Sequence, residues 1–158
     1  MQNMDYIFQL HLQTRKNIRL LTDSLTAEQL LIIPGGFNNN LLWNMGHVIV
    51  IQQLLCYRAG GLNVNFNEEL IPMFKKDSSP RDWKFIPDIN MIRDKLISTS
   101  EQFYMDYQNN KFDLDTPYNT RIKMVYGNTI ASTRDAIIFN NHHEAMHLGI
   151  IMELLKFA

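Results

Sequence analysis

The chain has few of the features that would name a function at once. It carries one cysteine in 158 residues, so no internal disulfide can form, and a reducing cytoplasm is the simplest setting. That residue, Cys56, lies in the apolar stretch Gln53-Leu54-Leu55-Cys56-Tyr57, the context of a small buried hydrophobe. There is no charge excess, with 15 basic against 16 acidic residues. No basic patch interleaved with aromatics is present, which excludes the usual nucleic-acid footprint. Long hydrophobic runs are missing too. The longest, Met45 to Tyr57, is interrupted by His47 and Gln52-Gln53, too short and too polar to span a bilayer. Met1 to Asp5 shows no basic region followed by an apolar run, so no signal peptide is expected. No internal repeat or low-complexity tract is evident.

What is present suits one folded unit. Hydrophobic residues make up 46% and charged residues 20% of the chain, enough to fill a core, and a single domain over residues 1–158 is the natural expectation. Helical periodicity appears in four long segments, at about 5–22, 41–59, 88–108 and 130–156. In the first, Ile7, Leu10, Thr14, Ile18 and Leu21 form the stripe, Asp5 is a candidate cap, and Arg15, Lys16 and Arg19 are read as solvated. Thr26 and Gln29 form a capping box for a short helix that Pro34-Gly35-Gly36 stops. Asn40 is placed to cap the second long helix, which is apolar around most of its circumference and therefore buried on more than one side. Gly60-Gly61 ends it. Gly46, inside that helix, costs roughly 1 kcal/mol against alanine, and close helix–helix approach next to His47 would explain it.

Leu62 to Ile86 is long for a link and predicts a crossover along a four-helix bundle, pinned by Phe66, Phe74 and Trp83. Pro87-Asp88 opens the third long helix, with the small residues Ser98, Thr99 and Ser100 at its middle. Lys111 to Gly127 is a second link, turn-like at Thr116-Pro117-Tyr118-Asn119 and extended at Ile122 to Tyr126. No second strong strand pattern lies nearby, so no sheet is expected. Thr129 or Ser132 caps the last helix. The fold class is all-α, a four-helix bundle with a long crossover connection.

The chemistry gathers in Asn140-Asn141-His142-His143-Glu144-Ala145-Met146-His147-Leu148-Gly149. His143 and His147 project from one helix face, one turn apart. Both lie in an apolar stripe, where an unpartnered imidazole costs on the order of 1–3 kcal/mol, and one metal ion satisfies both rings. His47, on the Trp43–Val50–Leu54 face of the second helix, is the best third ligand. His142 points roughly 100° from His143 and is a rim or outer residue. His11, close to the apolar stripe of the first helix, reads as a packed or surface histidine. Three nitrogens with open positions suit zinc or nickel, with iron as a further candidate. An ion so held lowers the pKa of a coordinated water or thiol. His143-Glu144-Ala145-Met146-His147 also matches the short zinc-peptidase pattern, with Glu144 as general base, but a peptidase groove is usually edged by a strand, and none is expected here.

At these motifs the chain resembles the DinB-like superfamily of small metal-binding four-helix bundles, over nearly its whole length. The matching pieces are Leu25-Thr26-Ala27-Glu28-Gln29-Leu30, Trp43-Asn44-Met45-Gly46-His47-Val48 and His143-Glu144-Ala145-Met146-His147-Leu148-Gly149. The resemblance implies His47, His143 and His147 as the metal triad, a long crossover between the second and third helices, and a homodimer. It also implies activities such as thiol transfer with a low-molecular-weight thiol, action on maleylpyruvate, or hydrolysis. Where the family pattern often has glutamine after the last glycine, this chain has Ile150. The expected function is a divalent-metal-dependent enzyme, a thiol S-transferase on small electrophiles. A metal-dependent hydrolase and a noncatalytic metal- or ligand-binding bundle are the alternatives. Glu144 is a weak catalytic candidate at the site's rim, and Trp43, His11, Tyr6 and His142 are candidate pocket neighbours. The expected partner is a small-molecule substrate, with no nucleic acid and no membrane.

Overall fold

A computed structural model describes residues 4–115, 117–123, 127 and 129–158. Thr116 of the expected turn, and Met124, Val125 and Tyr126 of the expected extended run, lie outside the described residues. Four long helices dominate. They are α1 (Met4–Thr22), α3 (Leu41–Gln52), α5 (Ile89–Gln108) and α6 (Thr133–Leu154), with two short ones, α2 (Ala27–Leu31) and α4 (Ile71–Phe74). α1 packs on α5 and α6, and α3 packs on the same two, so α1 and α3 face each other across the bundle. The long crossover runs from α3 to α5 and holds α4 between two 3₁₀ turns. Among the described residues, no helix is long and apolar enough to cross a membrane.

The helix starts follow local chemistry. Thr26 and Gln29 make the reciprocal capping box of α2. The Asn40 side chain accepts from Trp43 N at 2.8 Å. Asp88 accepts from Asn90 N and Met91 N. Ser132 accepts from Asp135 N at 3.2 Å. Each satisfies backbone donors that the first turn leaves unpaired. Asp5 instead falls inside the first turn of α1. Every residue of α3 from Leu41 to Val50 is buried, as its apolar circumference requires. Beyond Gln52 the chain continues as a π turn (Gln53–Tyr57) and a 3₁₀ turn (Arg58–Gly60), and Gly61 ends it at φ +80°.

Two expectations are corrected. A small antiparallel pair, β1 (Pro117–Lys123) and β2 (Thr129–Ser132), precedes α6. Thr129 to Ser132 therefore belong to a strand, and α6 begins at Thr133 rather than 130. The pairing is local and irregular, with Ile122 opposite Ile130 and a register shift between Pro117 and Ile122, so no alternating pattern announced it. In α1 the buried face is Met4, Ile7, Phe8, His11, Arg15, Ile18 and Thr22. Arg15, read as solvated, is fully buried, while Leu10 is 46% exposed. The stripe is rotated because polar groups sit in the core.

The core has two apolar clusters. One contains Ile18, Val48, Leu96 and Ile151. The other contains Phe8, Leu55, Phe103 and Ile137. Between them, in each long helix, lie buried polar residues. These are His11 and Arg15 in α1, Gln52 in α3, Thr99 and Ser100 in α5, and Asn140 and Glu144 in α6. A polar layer thus crosses the middle of the bundle. Phe66 and Phe74 of the crossover are buried against the first cluster, where Trp83 packs too.

Candidate metal centre

His47 comes from α3, and His143 and His147 come from successive turns of α6. Each is at most 9% exposed. The ring centroids are 5.2 Å apart for His47–His143, 4.7 Å for His47–His147 and 4.6 Å for His143–His147. One ligand atom from each lies within 4.8 Å of the others, so the group could hold a metal ion. His47 Nε2 and His143 Nε2 approach to 3.3 Å. Two nitrogens about 2.0–2.1 Å from a tetrahedral zinc are separated by about 3.3 Å. The approach matches that separation.

The outer ring atoms are already committed. His47 Nδ1 donates to the Phe74 carbonyl at 2.6 Å, and His147 Nδ1 donates to Asn44 Oδ1 at 2.8 Å. Asn44 is held in turn, because its Nδ2 donates to the Asn40 carbonyl at 2.8 Å. These bonds fix both tautomers and leave each Nε2 with a free lone pair, the arrangement expected of histidines that bind metals. Trp43 stacks on His47 at 4.3 Å and donates its indole N–H to Ser78 Oγ at 3.0 Å, so the crossover also steadies the site. His143 Nδ1 is buried without a hydrogen-bond partner among the described residues.

Burial holds the three rings neutral. It pushes His47 down to about 4, with the His143 ring adding to the effect. It pushes His143 down to about 4, against the pull of Glu144. It pushes His147 down to about 2, with His143 and His47 adding to it. Neutral imidazole is the form that ligates.

Glu144 does not lie at the rim, as the sequence suggested. It is fully buried. Arg15 Nε donates to its Oε2 at 2.6 Å, and Arg15 NH2, His11 Nε2 and Asn140 Nδ2 donate to its Oε1, each at 2.8 Å. Burial alone would raise its pKa, but Arg15 and His11 outweigh burial and hold it far below the usual carboxylate range. Ser100 Oγ donates to His11 Nδ1 at 2.7 Å. Ser100, His11 and Glu144 thus follow the order of a hydrolase relay, but all three are sealed in the core, out of reach of a substrate.

The remaining candidates separate. Tyr6 is 61% exposed on α1. His142 is exposed and lines a hollow of about 300 Å³ with Phe139, Ile138, Asp135, Ile130 and Thr129. Neither belongs to the three-histidine group. The sequence reading missed Asn44, Arg15, Asn140 and the Phe74 carbonyl. Asn44 carried a signal, as an amide three residues before His47 in a helix otherwise almost wholly apolar. Arg15 carried one too, four residues after His11 on the same face.

A comparison with protein families matches the DinB superfamily over residues 10–151. The chain belongs to the DinB superfamily. Its mostly helical bundle is consistent with that family, and the three-histidine group is compatible with metal binding. No curated protein matches the chain. In this DinB-like chain Gly46 has a local reason. A β-carbon there would overlap the Phe74 ring, with Cγ at 2.6 Å. The close neighbour is thus an aromatic side chain of the crossover, and its residue's carbonyl orients His47.

Proposed function

We propose that this DinB-like protein is a divalent-metal-dependent enzyme, with His47, His143 and His147 as ligands and a thiol S-transferase activity on small electrophilic molecules. The observation that supports it is the pair of Nε2 atoms 3.3 Å apart, in a cluster whose outer nitrogens on His47 and His147 are committed as donors. Three neutral nitrogens suit zinc or nickel, with iron as a further candidate. When bound, such an ion supplies Lewis acidity, favouring the deprotonated form of a coordinated thiol.

The protein's own contribution is to orient and to dry. Phe74 and Asn44 fix two ligand rings, and Trp43 covers one face of His47. Apolar walls keep all three imidazoles unprotonated near neutral pH. Glu144 carries no proton between substrates, because its carboxylate is fully buried and bound by Arg15, His11 and Asn140. The substrates are a low-molecular-weight thiol and an electrophile small enough to reach a nearly closed site. The setting is cytoplasmic, and the assembly is a homodimer, both taken from the cysteine usage and the family resemblance.

The test is elemental analysis of protein purified without an affinity tag, beside His143→Ala. About one equivalent of metal in the wild type, lost in a folded His143→Ala, supports the triad. Equal metal in both removes His143 from the ligand set. A screen pairing candidate thiols with electrophiles then reads thiol consumption. Ester or amide cleavage without thiol consumption would replace transfer by hydrolysis.

A further inference from the structure

Val48 follows His47 in α3, and Glu144 follows His143 in α6. One side chain grips both. Arg15, from α1, donates from Nε and NH2 to the Glu144 carboxylate at 2.6 and 2.8 Å, and from NH2 to the Val48 carbonyl at 2.9 Å. Its NH1 reaches the Leu96 carbonyl of α5 at 3.4 Å. A single guanidinium on α1 therefore bonds to each of the other three long helices, with no exposure to solvent.

Stability alone does not account for this. A buried ion pair costs desolvation on both sides, and apolar residues of similar volume often do as well or better. Geometry does account for it. A planar fork accepts a carboxylate in one plane and at one spacing. A slip of α6 by one turn, about 5.4 Å, would strand both charges, whereas the Leu, Ile and Val contacts on either side have no directional preference.

We propose that Arg15 and Glu144 are positioning residues for the metal site. They fix α3 against α6 at the residue beside each ligand, so that His47 and His143 meet at the separation one ion demands. This rests on the metal reading above. Neither residue touches metal or substrate, and their effect is carried by the helices they join.

The experiment compares wild type, Arg15→Lys, and a combined apolar variant with His11→Phe, Arg15→Met and Glu144→Leu. Zn(II) dissociation constants come from competition with a chromophoric chelator, the Co(II) visible spectrum reports ligand geometry, and far-UV circular dichroism reports the fold. The combined variant is expected to fold, and to bind Zn(II) about 10–100-fold more weakly, as for lost outer-sphere partners, with a changed Co(II) band shape. Arg15→Lys keeps the charge and loses the fork, so it should move both readouts the same way by a smaller factor. It decides the matter alone if the combined variant does not fold. Wild-type affinity and an unchanged Co(II) spectrum in a folded variant would overturn the positioning role. His47→Ala is the control. Zn(II) binding to wild type that survives His47→Ala would instead overturn the metal reading, and the proposal with it.

Discussion

Two glycines on the site's helices should answer the same substitution with opposite signs. Gly46→Ala and Gly149→Ala each gain up to about 1 kcal/mol of helix propensity. At Gly149 the new methyl meets nothing within 4 Å, so the gain stands, and the melting temperature should rise by about 2–4 °C for a chain of this size. At Gly46 the methyl meets the Phe74 ring, with Cγ at 2.6 Å, against about 3.5–4.0 Å for an ordinary carbon contact. The ring must therefore yield by about 1 Å. It is fully buried and packed edge-on against Trp83 at 5.3 Å. Overpacking of that kind costs about 1–3 kcal/mol. Subtracting a propensity gain of about 1 kcal/mol leaves a net loss of up to about 2 kcal/mol, or up to about 8 °C in melting temperature. If the Phe74 backbone follows its ring, the displacement reaches the metal site, because the Phe74 carbonyl accepts from His47 Nδ1 at 2.6 Å, and a shift of about 1 Å takes that bond past useful length. Zn(II) affinity should fall about tenfold. Thermal melts and chelator competition on both variants check this. Equal stabilisation by the two substitutions would refute the steric argument. A destabilised Gly46→Ala with wild-type affinity would refute the link from Phe74 to His47.

Asn44→Leu removes the acceptor for His147 Nδ1 and should weaken Zn(II) binding about 10–100-fold, while Asn44→Asp, which keeps an acceptor, should restore much of it in the same titration. Glu144→Leu alone leaves Arg15 buried without its counter-ion and should cost about 3–5 kcal/mol in urea unfolding, most of which Arg15→Met in the same chain should return. Additive losses in that double-mutant cycle would mean that the two residues do not act as a pair. Acid should loosen the metal-free protein in a defined window. His47 titrates near 6.5 when unfolded and at about 4 when folded, so the unfolded chain takes up protons first, and this contribution is complete above about 6.5 and lost as pH falls towards 4. The contribution is on the order of 3 kcal/mol, and His47→Gln should therefore show a shallower fall in urea midpoint than wild type between pH 6.5 and 4; parallel falls would rule it out.

Much of the bundle was legible because its signals are local. Thr26, Asn40, Asp88 and Ser132 announce helix starts by chemistry that acts within one turn. The apolar circumference of α3 announces its burial. The histidine spacing put His143 and His147 on one face, but nothing in one helix shows which residue of another comes to meet it. His47 was reached through its apolar surroundings and the family resemblance. Arg15 was missed because a lone arginine beside Lys16 is usually solvated, and its burial depends on a carboxylate 129 positions away in sequence. The hairpin was missed because its pairing is short and shifted in register. Glu144 was misplaced because adjacency to His143 says nothing about depth; α6 turns it towards Arg15 instead.

The π turn that follows α3 has a consequence for the whole molecule. An α-helix advances about 100° per residue, so a continuous helix from Leu41 to Gly60 would bind the orientation of Tyr57 rigidly to that of His47. The wider turn at Gln53–Tyr57 absorbs part of that rotation. Leu55, Cys56 and Tyr57 can then face the second apolar cluster, while Trp43 and Val48 face the first. The single wide turn thereby sets the distal segment's phase apart from that of the His47 segment by a fixed step, which a regular α-helix would not allow.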